Sequence, residues 1–231
     1  MTFRTASGQT VPVRFEVNPR AKRLILRLDH KNREGVAVAP SARQLKDVAA
    51  FAEQRVDWLA SRLDAIPAAN ALAEGSIIPL RGVATSITAE GGGRLPRLID
   101  GDQQTLSLPG APDTLAARAL RYLKREAKAD FTRAVDHYAP LLGVNYRRIS
   151  VKDTRSRWGS CTTDGNLSFS WRLILAEPFV LDYVAAHEVA HLIEMNHSPA
   201  FWANVEKVYP DWKRASAWLK SNGAELHAVG T

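Results

Sequence analysis

The sequence predicts an α+β protein: an N-terminal, antiparallel β-rich lobe with one helix, then a C-terminal lobe of long helices and a small mixed sheet. Three observations predict it. Apolar residues mostly alternate in short stretches before residue 110, whereas beyond it they recur largely at steps of three and four. The strongest turn-forming run of the chain, Pro109-Gly110-Ala111-Pro112-Asp113, separates the two patterns and sets an expected boundary between 1–112 and 113–231. The 231 residues are 45% apolar and 24% charged, which excludes a disordered or collagen-like chain.

Each element has its own signal. Val11, Val13, Phe15 and Val17 alternate with polar neighbours, so Thr10 to Val17 reads as a strand. Leu24, Leu26 and Leu28 mark a second strand, and Val36 to Ala39 a third beyond the turn-rich stretch from His30 to Gly35. Antiparallel pairing is the expectation for all of them. Pro40 and Ser41 open a helix, Ser41 as N-cap, with Leu45, Val48, Ala52, Val56, Leu59 and Leu63 along one face. Strands return at Ile77 to Thr88, Arg94 to Ile99 and Thr105 to Leu108, with a turn at Gly91-Gly92-Gly93, and a meander is the economical arrangement. After the boundary, Leu115, Leu120, Leu123, Ala127, Phe131, Val135 and Tyr138 lie near one face of a long helix that Pro140 and Gly143 end. Arg147 to Lys152 and Gly165 to Ser170 read as strands, and Leu181 to about Met195 as a second long helix. Two shorter helices open at Ser198-Pro199 and at Asp211, the latter stopping near Gly223. No internal repeat is visible.

Composition narrows the chemistry. A single cysteine, Cys161, excludes an intramolecular disulfide and a zinc site of several thiolates, so any metal must be held by histidines and carboxylates. The N-terminal MTFRTASGQT lacks an apolar signal core and no stretch approaches the length of a membrane span, so a cytoplasmic location is expected. The net charge of +7 suits an acidic or nucleic-acid partner. Divided at residue 112 it splits into +4 and +3, which makes it weak evidence for either.

One constellation carries chemistry. In His187-Glu188-Val189-Ala190-His191 the histidines are four residues apart, so on a helix both imidazoles leave one face and can meet one metal ion. Glu188 is placed to act as general base on a metal-activated water. Val184, Ala185, Leu192 and Ile193 predict that this helix is buried, where two imidazoles and a carboxylate need partners that a dication supplies. The candidate third ligand is His197. A straight helix would carry it about 9 Å past His191, so the helix must stop first, with Asn196 as a left-handed cap and Ser198-Pro199 restarting the chain.

The runs Arg157-Trp158-Gly159-Ser160-Cys161, Gly165-Asn166-Leu167, His187 to Leu192 and Asn196 to Trp202 resemble the YgjP-like family of zinc metallopeptidases, related to SprT-like and WLM-type proteases. The helix carrying Val56-Asp57-Trp58-Leu59 extends the resemblance towards the N-terminus. It implies a zincin-like C-terminal domain, Zn2+ as cofactor with His187, His191 and His197 as ligands, Glu188 as catalytic base, and a peptide or protein substrate. The spacing also matches metzincins, but Glu194 stands where those have glycine. A carboxylate third ligand of the thermolysin kind would be Glu206.

Other residues invite roles. Gly165 to Ser170 is either an internal strand or the edge along which a substrate pairs. Cys161 reads as a small buried side chain. Arg147, Arg148, Lys152, Arg155 and Arg157 form the densest basic stretch, either a solvated face or a phosphate grip. Tyr183 and Tyr209 are alternative donors to a developing oxyanion. The alternative to a peptidase is a non-catalytic zinc module associated with nucleic acid, or a protease acting on DNA-bound proteins.

Overall fold

The computed structural model describes residues 1–29, 32–64, 70–90, 94–154 and 156–230. His30 and the Gly91-Gly92-Gly93 turn lie outside the described residues, as does Arg155 of the basic stretch. The chain forms two compact units, Met1–Ala68 and Ala69–Thr231.

In the first unit, strands β1 (Thr2–Arg4), β2 (Thr10–Val17), β3 (Ile25–Asp29) and β4 (Glu34–Ala39) form a sheet in the order β1-β2-β4-β3. The outer pairings are antiparallel, but β2 and β4 run parallel with Val13 opposite Gly35, so the sheet is mixed rather than antiparallel throughout. A 3-10 turn, Ala42–Gln44, leads into helices α1 (Leu45–Glu53) and α2 (Val56–Asp64). The predicted single helix is therefore two, parted at Gln54 and Arg55, where the Arg55 N–H reaches back only three residues to the Ala52 carbonyl. Ser41 precedes the 3-10 turn without capping it, its hydroxyl donating instead to the Gln44 side chain. Val11, Val13, Ala37 and Ala39 of the sheet pack with Val48, Ala52, Val56, Leu59 and Leu63 of the helices as a core of their own.

The second unit repeats the theme. Strands β5 (Ile77–Leu80), β6 (Val83–Thr88), β7 (Arg97–Ile99) and β8 (Gln104–Ser107) pair in the order β5-β6-β8-β7, with β6 and β8 parallel and the outer pairs antiparallel. This is not the expected meander. A 3-10 turn, Pro112–Thr114, again leads into a helix, α3 (Leu115–Leu142). The two sheets thus share one strand order, one set of directions and one exit into a helix that begins with leucine, a topological repeat that residue-by-residue reading does not reveal.

The division between units lies after residue 68, not after 112. The reason is packing: Ile78, Leu80, Ile87, Leu106 and Leu108 of the second sheet belong to the same core as Leu115, Leu123, Phe131 and Val135 of α3. The turn-rich run at Pro109 is a corner inside that unit. Gly143, in the left-handed conformation at φ 68°, ends α3 one residue beyond Leu142, and Pro140 lies within its last turn.

A third sheet follows, with β9 (Arg148–Lys152), β10 (Gly159–Cys161) and β11 (Asn166–Ser170) in the order β10-β11-β9. Gly165 to Ser170 therefore supplies the internal strand, parallel to β9 and antiparallel to β10. β9 and the three-residue β10 are its two edges. Helices α4 (Pro178–Ala190), α5 (Pro199–Val208) and α6 (Trp212–Ala228) complete the unit. α6 does not stop near Gly223: that glycine faces Trp158, and a Cβ on it would lie 3.0 Å from the indole. Among the described residues no helix is long and apolar enough to cross a membrane.

Candidate metal centre

α4 starts with Pro178 at its first position, where a missing N–H costs nothing. Val180, Val184, Ala185, Ala186, Val189 and Ala190 bury it on all sides. Into this apolar setting the helix carries His187 and Glu188, with His191 as its C-cap. Glu188 is 4% exposed and His191 8%, so each must find a partner or bear the cost of a buried polar group.

His187 and His191 leave the same face one turn apart, their ring centroids separated by 4.9 Å. The helix stops as the spacing requires. α5 then restarts with Ser198 as N-cap, its hydroxyl oxygen accepting from the Phe201 N–H at 3.2 Å. Asn196 shapes the corner, but not through a left-handed cap: among the described non-glycine residues only Arg33 and Arg81 have positive φ. Its side chain works instead, the amide donating to the Glu194 carboxylate at 2.6 Å and the oxygen accepting from the Ser198 N–H at 2.9 Å. The corner folds His197 back on the helix, with its Nε2 3.1 Å from Nε2 of His187. One nitrogen from each of the three histidines lies within 4.8 Å of the others. Phe201, fully buried, packs against all three rings at centroid distances of 4.3 to 4.8 Å and limits their rotation. Glu206 is exposed on α5 and takes no part in the cluster.

The donor set fits a divalent metal. Nδ1 of His191 lies 3.0 Å from the Glu194 carbonyl, which can only accept, so Nδ1 carries the proton and Nε2 keeps its lone pair. Nδ1 of His187 and Oε2 of Glu188 are buried without a hydrogen-bond partner. Burial, reinforced by His191 and His197, pushes His187 down to about 3, so it is the neutral ligand form at any ordinary pH. Burial and His197 also lower His191, against the opposing Glu194 hydrogen bond. Burial raises Glu188 to about 8 against the opposing charge of Arg157, and a neighbouring dication would favour its ionised form.

The edge strand explains the Trp158-Gly159-Ser160 run. β10 passes so close to Glu188 that a Cβ on Gly159 would overlap its carboxylate. Trp158, just before the strand, stacks on His227 of α6 at 4.4 Å and 19° between planes. Together β10, α4 and α6 border a cleft of about 590 Å3 that includes His187, Glu188, His191, His197 and Tyr183. Cys161 lines the cleft half-buried rather than sitting in the core, its thiol raised to about 11 by burial and the Glu188 charge. The two tyrosines separate: the Tyr209 hydroxyl donates to the Phe179 carbonyl at 2.8 Å, while Tyr183 borders the cleft with its ring 5.8 Å from that of His187. Of the described residues of the basic stretch, only Arg157 lines this cleft.

The contributions of β10 and α6 escape the sequence. A three-residue strand carries too little alternation to register, and Ser216, Leu219 and Lys220 of α6 enter the cleft from a distant segment.

No curated protein matches the chain. Among solved structures it is similar to the crystal structure of the metallopeptidase zymogen abylysin of Pyrococcus abyssi, at 21% identity over 39% of this chain and 93% of that one, with a TM-score of 0.36. The description "YgjP-like, metallopeptidase domain" fits residues 22–222, a span that takes in the His187 to His191 helix, the His197 corner and the edge strand behind Glu188. The chain belongs to the YgjP-like metallopeptidase family.

Proposed function

We propose that this chain hydrolyses peptide bonds at a zinc ion held by His187, His191 and His197, with Glu188 as the proton carrier. The convergence of three imidazoles beside the unpartnered Oε2 of Glu188 carries the reading. Neutral nitrogen ligands in a set of three suit zinc and leave a coordination position for water, as a hydrolytic site requires. Bound there, the ion supplies Lewis-acid activation of a water and of the scissile carbonyl.

The protein's own groups do the rest. Glu188 takes a proton from the attacking water as its oxygen bonds to the carbonyl carbon, and delivers that proton to the amine nitrogen as the C–N bond breaks. Its burial serves this role by keeping the side chain beside the histidines with one carboxylate oxygen free to accept the proton. Gly159 holds the carboxylate in place by leaving room for it. Tyr183, which borders the cleft and whose oxygen pairs with Ser216, keeps its proton for the developing oxyanion, whereas the Tyr209 hydroxyl donates to the Phe179 carbonyl. Edge strand β10 offers backbone groups with which an extended substrate can pair.

Metal removal tests this. A chelator should abolish cleavage of an unstructured protein substrate, and zinc should restore it with one ion per chain. His197→Ala should lower metal affinity at least tenfold while Glu206→Ala leaves it unchanged; the opposite pattern would move the third ligand to Glu206.

A second reading, a protease that engages nucleic-acid-bound proteins, gains support from the position of the unit boundary. Met1–Ala68 carries 12 basic and 7 acidic side chains, a net +5, against 19 and 17, a net +2, in the rest. The same unit exposes Trp58 beside Leu26, with the Arg55 guanidinium 4.1 Å over the Phe51 ring, the pairing of aromatic and cation that suits single-stranded bases. Binding of the full chain to a single-stranded oligonucleotide should weaken steeply with salt and weaken further in Trp58→Ala. Binding insensitive to both would remove this reading.

A further inference from the structure

The cleft beside the histidine cluster is polarised. The charged side chains bordering it, apart from the histidines, are Glu188, Arg157 and Lys220. Glu188 is buried and committed to the reaction, so the charge facing a ligand is that of the two cations. Arg157, on the segment before β10, and Lys220, on α6, are both exposed. Among the described residues neither has a carboxylate within ion-pair distance. Uncompensated cations on the low-dielectric wall of a concave site concentrate field in the cleft. Much of the wall is apolar, with Trp158 and Leu219 among its members, which suits a side chain with an aliphatic stem and a charged tip.

On the far side of His191 and Met195 the surface changes sign. A second depression, of about 410 Å3, shares those two residues and is bordered by the turn after β10. Among the described residues, the one charged side chain that borders it is Asp164, with Thr162, Thr163 and Asn145 as polar neighbours. The two depressions meet at His191, beside the reacting centre, so a substrate extended along the edge strand would place one flank against Arg157 and Lys220 and the other against Asp164.

We infer that the enzyme selects substrates with an acidic side chain on the flank of the scissile bond that faces Arg157 and Lys220, and disfavours acid on the other flank. This rests on the peptidase reading above. Lys220 is then a specificity-determining residue, and Arg157, which borders the same cleft, shares the task. Two elementary charges at the rim of a cleft discriminate glutamate from lysine by about tenfold at low ionic strength, and by less as salt screens them.

The test uses the full chain and two readouts. Peptides of one parent sequence carry Glu, Gln or Lys at each of two positions on either side of the cleaved bond. The parent enzyme should cleave the Glu peptide at least fivefold better than the Lys peptide, by kcat/KM, for one flank only, and Lys220→Glu should reverse that ratio. Within each protein the ratio is its own control for folding and metal loading. In parallel, the zinc-loaded Glu188→Gln variant should bind the favoured Glu peptide more tightly than its Lys counterpart, read by fluorescence anisotropy. Ratios within twofold on both flanks, or a parent preference that Lys220→Glu leaves unaltered, overturn the inference. If no peptide is cleaved, the peptidase reading fails, and the anisotropy ratio still decides whether the cleft selects acidic chains.

Discussion

At the scale of residues, the site is an arrangement of close approaches. His197 reaches His187 because three hydrogen bonds tighten the corner between helices: the Asn196 amide donates to Glu194, the Ser198 N–H to the Asn196 side chain and the Phe201 N–H to the Ser198 hydroxyl. Glu188 is held between a buried helix and a strand that comes near enough only because residue 159 has no side chain. Gly159→Ala therefore tests positioning separately from chemistry. The added methyl must displace either the carboxylate or the strand, and a shift of about 1 Å at a catalytic base costs on the order of a hundredfold in rate. The expected result is a loss of that size in kcat with one metal ion still bound per chain; an unchanged kcat would show that β10 does not set the position of Glu188.

At the scale of elements, legibility follows periodicity and punctuation. α4 and α5 could be anticipated because their signals are local: histidines four apart among apolar residues, and Ser198-Pro199 at a helix start. β2 is read to the residue for the same reason, since Val11 and Val13 alternate with exposed neighbours. The parallel pairings β2/β4 and β6/β8 could not be, because the partner of a short strand is chosen by tertiary packing and not by its own pattern. Gly223 shows the limit of punctuation. It reads as a helix stop, yet it is small because Trp158 packs on it. Asn196 is the converse case, a corner residue correctly placed but acting through side-chain hydrogen bonds in place of an unusual backbone conformation.

At the scale of the whole molecule, moving the boundary from 112 to 68 changes what the charge means. Divided at the turn-rich run, the +7 is nearly even; divided where the cores separate, most of it falls on the smaller unit. The shared topology of the two four-stranded sheets sharpens the contrast. In Ala69–Thr231 the sheet and the helix after it share a core with the elements that carry the histidines, whereas in Met1–Ala68 the same strand order builds a separate core with a basic, aromatic-bearing surface. One architecture thus serves a scaffold in one unit and an exposed surface in the other.

The central claim is that Glu188 moves the proton at a metal held by three histidines. Its most direct test is Glu188→Gln, an isosteric change that keeps the side chain's volume and removes its basicity. The variant should retain one metal ion per chain and the parent's thermal unfolding midpoint, while peptide hydrolysis falls by about a hundredfold or more. Cleavage at the parent's rate by a fully metallated Glu188→Gln protein would contradict the account.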